Sequence, residues 1–505
     1  MMRTRMLFTL FSHQRFRGCF SVLFLTISSL SCGYAAGHDT PEVTLASGKV
    51  TGQHADGINF YRGMPYAKAP VGNLRWQPPQ EPDAIASPYA ANSFFPPCPQ
   101  RGKDNGSEDC LGINVFSPSA DDGQTARPVL VWIHGGGYVG GSGDLDPKVV
   151  SHWVNQGLVL VSFNYRLGAL GIFAHPALSQ PDGVNYSVMD MVAALSWVQD
   201  NIAEFGGDPA RVTIAGGSAG GMAVQMLMVT PKAEGLFSGA ISQSGYGTWP
   251  LPRTSGAPAL QGSPDAEVLS SAIAQRATGT DKVSRELLYQ TSPEAFVNAI
   301  NGFHLPVADG ITLPDEPARL FAQGKQHAVP YISGGNSYDG NVYPYSGVSP
   351  QRMLTLTASA ADSVQKAYGL GEQALTALPF QHLFGDLRYV LAGMVTTGAM
   401  QTVKQPGYRY FYDVADETTP GAGHASETFA LFKPAGNDAV KAMQAYWRNF
   451  IRTGNPNGQG LSEWQPVDKQ DKNWMVFDKT AHAEKEVRAG KLGILRQVYQ
   501  TRVNP

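Results

Sequence analysis

A serine hydroxyl acts as a nucleophile at neutral pH only when a base takes its proton and fixed N–H donors meet the charge it creates. The stretch Arg211–Gly221, RVTIAGGSAGG, has the composition such a serine needs. Val212, Thr213, Ile214 and Ala215 form an apolar, β-branched run, and Met222 to Met228 reads as an apolar helical segment whose methionines pack a core. Ser218 is therefore expected at the apex of a strand, a sharp turn and a helix. Glycine at 216 and 220 keeps that turn free of side chains that would strike the flanking elements. A hydroxyl held there lies near a helix N-terminus, where backbone N–H groups can face a developing oxyanion.

A second glycine cluster follows the run Val129–Ile133: His134, Gly135, Gly136, Gly137 and Tyr138, then Gly140, Gly141, Ser142 and Gly143. Three adjacent glycines let N–H groups point into a pocket unobstructed, as an oxyanion hole requires. No Lys-Ser or Lys-Thr pair follows and the spacing is not G-x-G-x-x-G, so nucleotide binding is not indicated. For the base, His424 stands out among eleven histidines because it lies in the loop Gly421–Glu427, shortly after a predicted strand ending near Tyr412. His134 competes, although its place beside the glycines suits a structural role. Asp339, in Gly334–Gly340 just past another predicted strand, is the acid that would orient the imidazole and stabilise the imidazolium.

The elements that must position these groups read as an α/β protein. Continuous apolar runs at Val129–Ile133 and Leu158–Phe163, with Gly112–Phe116, suit central strands buried on both faces. Further strands are expected at Val212, Gly239–Ser242, Val329–Ser333 and Tyr408–Tyr412, and short edge strands at Val43–Gln53, forming a small N-terminal edge sheet. Tyr186–Glu204 has helical periodicity through Met189, Val192, Leu195, Trp197 and Ile202. Alternation of strands and helices predicts a central, mostly parallel sheet flanked by helices. Gly63–Trp76, with its prolines, reads as an irregular segment on the surface.

Residues 1–36 read as a signal peptide: four arginines and no acid precede an apolar run from Cys19 to Leu30, then small residues near Ala35. Acylation at Cys32 as a lipoprotein is the competing reading, although Ser29 and Leu30 make a poor lipobox. Export to a periplasm or beyond follows, and the run is too short for a stable membrane span. Removing the four arginines takes the formal charge from −3 to about −7, which argues against nucleic-acid partners. Cys98 and Cys110 remain as an even pair in an oxidising compartment, and a disulfide between them is expected. No C-x-x-C and no clustered histidines are present, and no metal or organic cofactor is implied. Residues 37–505 carry no repeat, linker or charge block and are expected to form a single catalytic domain, its oligomeric state open.

The motifs together resemble the type B carboxylesterases, a family that includes cholinesterases and bacterial p-nitrobenzyl esterases. The resemblance runs through Gly63–Trp76, Ser107–Leu111, the HGGGY loop, Asn164–Gly168, Phe205–Pro209, the serine elbow and Trp447–Asn457. It implies an α/β-hydrolase fold, a small-molecule ester as substrate, and a catalytic triad of Ser218, Asp339 and His424 in the chain order of that fold. It further implies oxyanion N–H donors at Gly136, Gly137 and Ala219, a Cys98–Cys110 disulfide, ion pairs Arg75–Glu108 and Arg166–Asp190, and Ser244 as support for the acid. Three departures stand out: the acid is Asp339 where the family usually has Glu, Gly217 replaces a frequent Glu, and the loop between the cysteines is short and lacks an aromatic. The last two remove the grip on a quaternary ammonium, so choline esters are not the expected substrates. Short- to medium-chain or aromatic esters are. A non-catalytic binding or adhesion protein on the same scaffold, a lipase on long-chain acylglycerols, and a specialised detoxifying or catabolic esterase on aromatic or polycarboxylic esters are the rival readings. Tyr246 and Trp249 either line the acyl pocket or simply pack.

Overall fold

Strand β7 (Arg127–Ile133) is buried at every position, and its side chains divide between two cores. Val129, Val131 and Ile133 enter one hydrophobic cluster, whereas Leu130 and Trp132 enter another. A period of two sends alternate residues to opposite faces, so a continuous apolar run means a sheet covered on both sides. The same division recurs at β8 (Val159–Phe163), with Val159, Val161 and Phe163 opposite Leu160.

This computed structural model describes residues 40–119, 126–257, 260–370 and 378–503. The segment read as a signal peptide, with Cys32, lies outside the described residues. The remaining strands in chain order are β1 (Glu42–Leu45), β2 (Gly48–Thr51), β3 (Gln53–Ala55), β4 (Ile58–Pro65), β5 (Tyr89–Ala90), β6 (Gly112–Pro118), β9 (Gly207–Gly217), β10 (Gly239–Gln243), β11 (Tyr331–Asn336), β12 (Gly407–Tyr412), β13 (Trp474–Phe477) and β14 (Ala481–Glu484). The large sheet runs β14-β13-β12-β11-β10-β9-β7-β8-β6-β4-β3. From β8 to β13 every neighbouring pair is parallel, while β3, β4, β6 and β14 add antiparallel edges. β1, β2 and β5 form the small separate sheet expected near the N-terminus.

The helix expected from Tyr186 spans Tyr186–Asn201 and gives way to a 3-10 turn at Ile202–Phe205, where Gly206 adopts φ 79°. Its contact with the main core runs through Val188, Met191, Leu195 and Val198, one face at helical spacing, while Met189 turns to a satellite cluster around Trp76. Gly63–Trp76 differs from expectation. Its first three residues belong to β4, whose register against β6 shifts between Tyr61 and Met64, and Trp76 is buried with its indole N–H donating to the Ala169 carbonyl at 2.7 Å. A bulge admits Gly63 to a strand where side-chain alternation alone gave no strand signal. Arg75–Glu108 and Arg166–Asp190 form bidentate ion pairs, the second fully enclosed. No helix among the described residues is long and apolar enough to cross a membrane.

Candidate active site

Parallel strands bring their carboxyl ends to one edge, and four of those ends carry the residues singled out above. β7 leads into the triple glycine, β9 into Ser218, β11 into Asp339 and β12 toward His424. At the elbow Ser218 has φ 58° and ψ −119°, and its N–H donates to the Gln243 carbonyl at 2.8 Å. A side chain with positive φ costs on the order of 1–3 kcal/mol, and here it places the hydroxyl ahead of the helix Ala219–Leu227. A Cβ at Gly220 would lie 2.1 Å from the Ile133 carbonyl oxygen, so the helix can approach β7 only with glycine there.

The triple-glycine loop packs directly on the elbow, for a Cβ at Gly135 would sit 3.3 Å from Ser218 Cβ. Gly136 takes φ 114° and leaves no room for a side chain, whose Cβ would lie 2.1 Å from the Gly140 carbonyl. Among the described residues the N–H groups of Gly136 and Gly137 meet no acceptor, which leaves them available to a ligand. His134 is not part of this opening. Its ring stacks on Tyr165 at 4.2 Å, its Nδ1 contacts the Gly135 carbonyl at 2.9 Å, and burial pushes its pKa down to about 4. The ring is thus a neutral strut beneath the glycines.

Asp339 and His424 meet. His424 Nδ1 donates to Asp339 Oδ1 at 2.7 Å, and the His424 N–H donates to Asn341 Oδ1 at 2.8 Å. Asp339 is buried, and its Oδ2 accepts the Asn336 N–H at 2.7 Å. Ser244, as expected, donates to this carboxylate, at 3.1 Å from each oxygen. The shorter acid fits because β11 and its turn lie close: a Cβ at Gly335 would be 2.7 Å from Asp339 Oδ2. His424 Nε2 has no partner, so Ser218 Oγ does not yet donate to it in this resting geometry. Elbow and base loop nevertheless touch, since a Cβ at Gly217 would meet Thr428 Oγ1 at 2.5 Å. Thr428 occupies the room that the family's frequent Glu would need at 217.

Three residues that the sequence reading passed over complete the surroundings. Glu427 is fully buried, with Oε1 3.4 Å from Ser244 Oγ and from the Tyr410 hydroxyl, and Oε2 accepting from Asn336 Nδ2. Burial and the neighbouring Asp339 carboxylate raise its pKa to about 7. Ser244 has one proton, which Asp339 takes, so a neutral Glu427 supplies the proton missing from its own contact with Ser244. Tyr389 lies against the His424 ring at 4.5 Å, and Arg388 beside it is buried among aromatics. Two charged residues, Asp386 and Arg388, inside the otherwise apolar stretch Leu383–Met394 were the available signal. Tyr246 and Trp249 are both buried, their rings 4.1 and 4.7 Å from the Arg388 guanidinium carbon. Cys98 and Cys110 form the expected disulfide, and no metal-holding cluster occurs among the described residues.

The family model of the carboxylesterases matches residues 39–495. The chain belongs to the carboxylesterase family. It is a carboxylic-ester hydrolase. Fumonisin B1 esterase of Sphingopyxis macrogoltabida is 32% identical over 480 residues, covering 86% of each chain. Mouse carboxylesterase 1F is 29% identical over 92% of this chain and 95% of its own. Among solved structures a PNB esterase superposes with a TM-score of 0.77 at 29% identity, covering 90% of this chain and 99% of its own. The carboxylesterase sheet, with helices on both faces and its site at the carboxyl edge, is the α/β-hydrolase architecture.

Proposed function

We propose that this carboxylesterase works through an acyl-enzyme on Ser218. His424 Nε2 accepts the Ser218 proton as Oγ bonds to the ester carbonyl carbon, and the carbonyl electron pair moves onto oxygen. The N–H groups of Gly136, Gly137 and Ala219 hold that oxyanion. Collapse expels the alkoxide, which takes the proton from His424 and leaves an acyl ester on Ser218. Water, deprotonated by the same Nε2, then attacks the acyl carbon and releases the carboxylic acid and the Ser218 hydroxyl. Asp339 holds the imidazole in the tautomer that presents Nε2, and Ser244 holds Asp339. The residues form a soluble-ester site in an exported enzyme, acting on short- to medium-chain or aromatic esters.

The observation that carries this reading is the 2.7 Å bond from His424 to the buried Asp339, with Nε2 left unpartnered on a loop that touches the elbow through Thr428. His134 and His152 are also bonded at Nδ1 and unpartnered at Nε2, but each meets a backbone carbonyl, whereas His424 meets a buried carboxylate. The test is rapid mixing with 4-nitrophenyl acetate and butyrate, wild type beside Ser218→Ala. A nitrophenol burst equal to the enzyme concentration is expected from the wild type, and a loss in kcat on the order of 10⁴ to 10⁶ in the variant. A folded Ser218→Ala that keeps most of its turnover overturns the assignment.

A further inference from the structure

Arg75, Arg166, Arg253, Arg409 and Arg502 are buried or nearly so, and each holds a carboxylate: Glu108, Asp190, Asp315, Asp471 and Glu316. Arg388 breaks this rule. It is 1% exposed, pairs with no acid among the described residues, and its Nε has no hydrogen-bond partner. The carboxylate nearest in sequence, Asp386, is engaged by Arg488 Nη1 at 2.6 Å and by the Tyr368 hydroxyl at 2.8 Å. A buried unpaired charge costs several kcal/mol, and rings stacked on it offset only part of that. Tyr246, Trp249, Phe303, Phe384 and Tyr389 surround the guanidinium at 4.1 to 5.9 Å. Such a cage surrounds the cation with neutral groups, the Tyr246 and Tyr389 phenols within its hydrogen-bonding reach, and leaves Nε without a partner. The Tyr246 hydroxyl, also buried, lies in reach of the guanidinium and brings a second proton donor to the same cage.

The cage adjoins the reacting centre on two sides. Tyr389 lies on His424 at 4.5 Å, and Phe303 lies on the oxyanion loop, where a Cβ at Gly137 would meet it at 2.5 Å. Arg388 stands on a single π-helical turn, Asp386–Val390, whose extra residue per turn sets the side chain out of register with the helices before and after it. Tyr246 and Trp249 follow β10, whose last residue, Gln243, accepts the Ser218 N–H at 2.8 Å, so the cage also reaches the elbow along this segment. Phe303 also lines a cavity of about 210 Å³ walled by Ile172, Leu269, Ile273 and Leu305, so the ring has free volume to give way.

We propose that Arg388 anchors a carboxylate carried on the acyl part of the substrate, so that the site takes half-esters of dicarboxylic acids in preference to neutral esters of equal length. The proposal rests on the serine-esterase reading above. Guanidinium and carboxylate match as a fork of parallel N–H donors and two acceptor oxygens, with the Tyr246 hydroxyl able to donate to either oxygen.

The test compares mono-4-nitrophenyl glutarate with 4-nitrophenyl valerate, which differ by a carboxylate in place of the terminal methyl. Background hydrolysis is subtracted with Ser218→Ala. The wild type is expected to show the higher kcat/KM on the glutarate. Arg388→Met should lower that value by roughly 10- to 100-fold, mainly through KM, and leave valerate within about threefold. Wild-type preference for valerate, or equal losses on both esters in the variant, overturns the proposal. Should Arg388→Met not fold, the wild type itself decides, since free glutarate must inhibit valerate hydrolysis at lower concentration than free valerate does. An Arg388-dependent preference that appears only for 4-carboxyphenyl valerate over phenyl valerate puts the charge on the alcohol and overturns the acyl placement. Turnover with a burst but no preference sinks this proposal alone, whereas no turnover and no burst sinks the serine-esterase reading and this one with it.

Discussion

Replacing Glu427 by Gln should change how the stability of this enzyme depends on pH. The carboxyl is fully buried beside Asp339 and titrates near 7 in the folded chain, against an ordinary value of 4.5. A folded-state pKa above the unfolded one means the stabilising contribution is intact below about 4.5 and is lost as pH rises through about 7. At about 1.36 kcal/mol per unit, the shift from 4.5 to about 7 corresponds to roughly 3 kcal/mol drained from the wild type across that interval. Gln keeps the shape and the Asn336 contact and has no proton to lose. Guanidinium unfolding of wild type and Glu427→Gln, at steps from about pH 5 to about pH 8, measures the difference directly. The variant should gain on the wild type steadily with rising pH, by roughly 3 kcal/mol in all. A difference that stays flat, or that runs the other way, refutes a neutral Glu427 and with it the proton between Glu427 and Ser244.

Two other substitutions probe the scaffold around the site. Gly217→Ala should destabilise by about 1–3 kcal/mol, because its Cβ would lie 2.5 Å from Thr428 Oγ1, and Thr428→Ala in the same chain should restore most of the loss; an unchanged melting temperature in the single variant contradicts the contact. Asp190→Asn leaves Arg166 buried without its acid and should cost about 3–5 kcal/mol with kcat unaffected at temperatures where the variant is folded; thermal unfolding followed alongside ester turnover separates the two effects.

What could be read in the sequence was chemistry that announces itself locally. Gly216, Ser218 and Gly220 are spaced by the demands of one turn, and Gly135 to Gly137 by those of one loop, so both were visible without neighbours. Asp339 and His424 were legible because each follows a predicted strand, and the structure brings them to 2.7 Å. Glu427 was not, since one more acid in a polar loop says nothing until Asp339, Ser244 and Tyr410 close around it. Arg388 was missed for a related reason: its significance is the carboxylate it lacks, and only a folded chain shows which acids are taken. Gly63–Trp76 was misread in its first residues because a bulged strand does not keep the alternation by which strands are recognised.

The parallel order of the sheet bears on when this enzyme becomes active during folding. The elbow and the triple glycine sit on neighbouring strands, β9 and β7, whereas His424 hangs from the loop after β12. The bonds that place it join residues 85 apart, from His424 to Asp339, and 183 apart, from Ser244 to Glu427. The β7–β9 pairing spans nearly as much chain, from Val129 to Val212, so every part of the candidate site waits on the loop-closure entropy of a long intervening segment. A refolding chain is therefore expected to regain turnover no earlier than these pairings, and on the proposed mechanism a chain cut short ahead of β12 lacks the histidine that would activate Ser218. Ester hydrolysis then reports that these distant pairings have all closed.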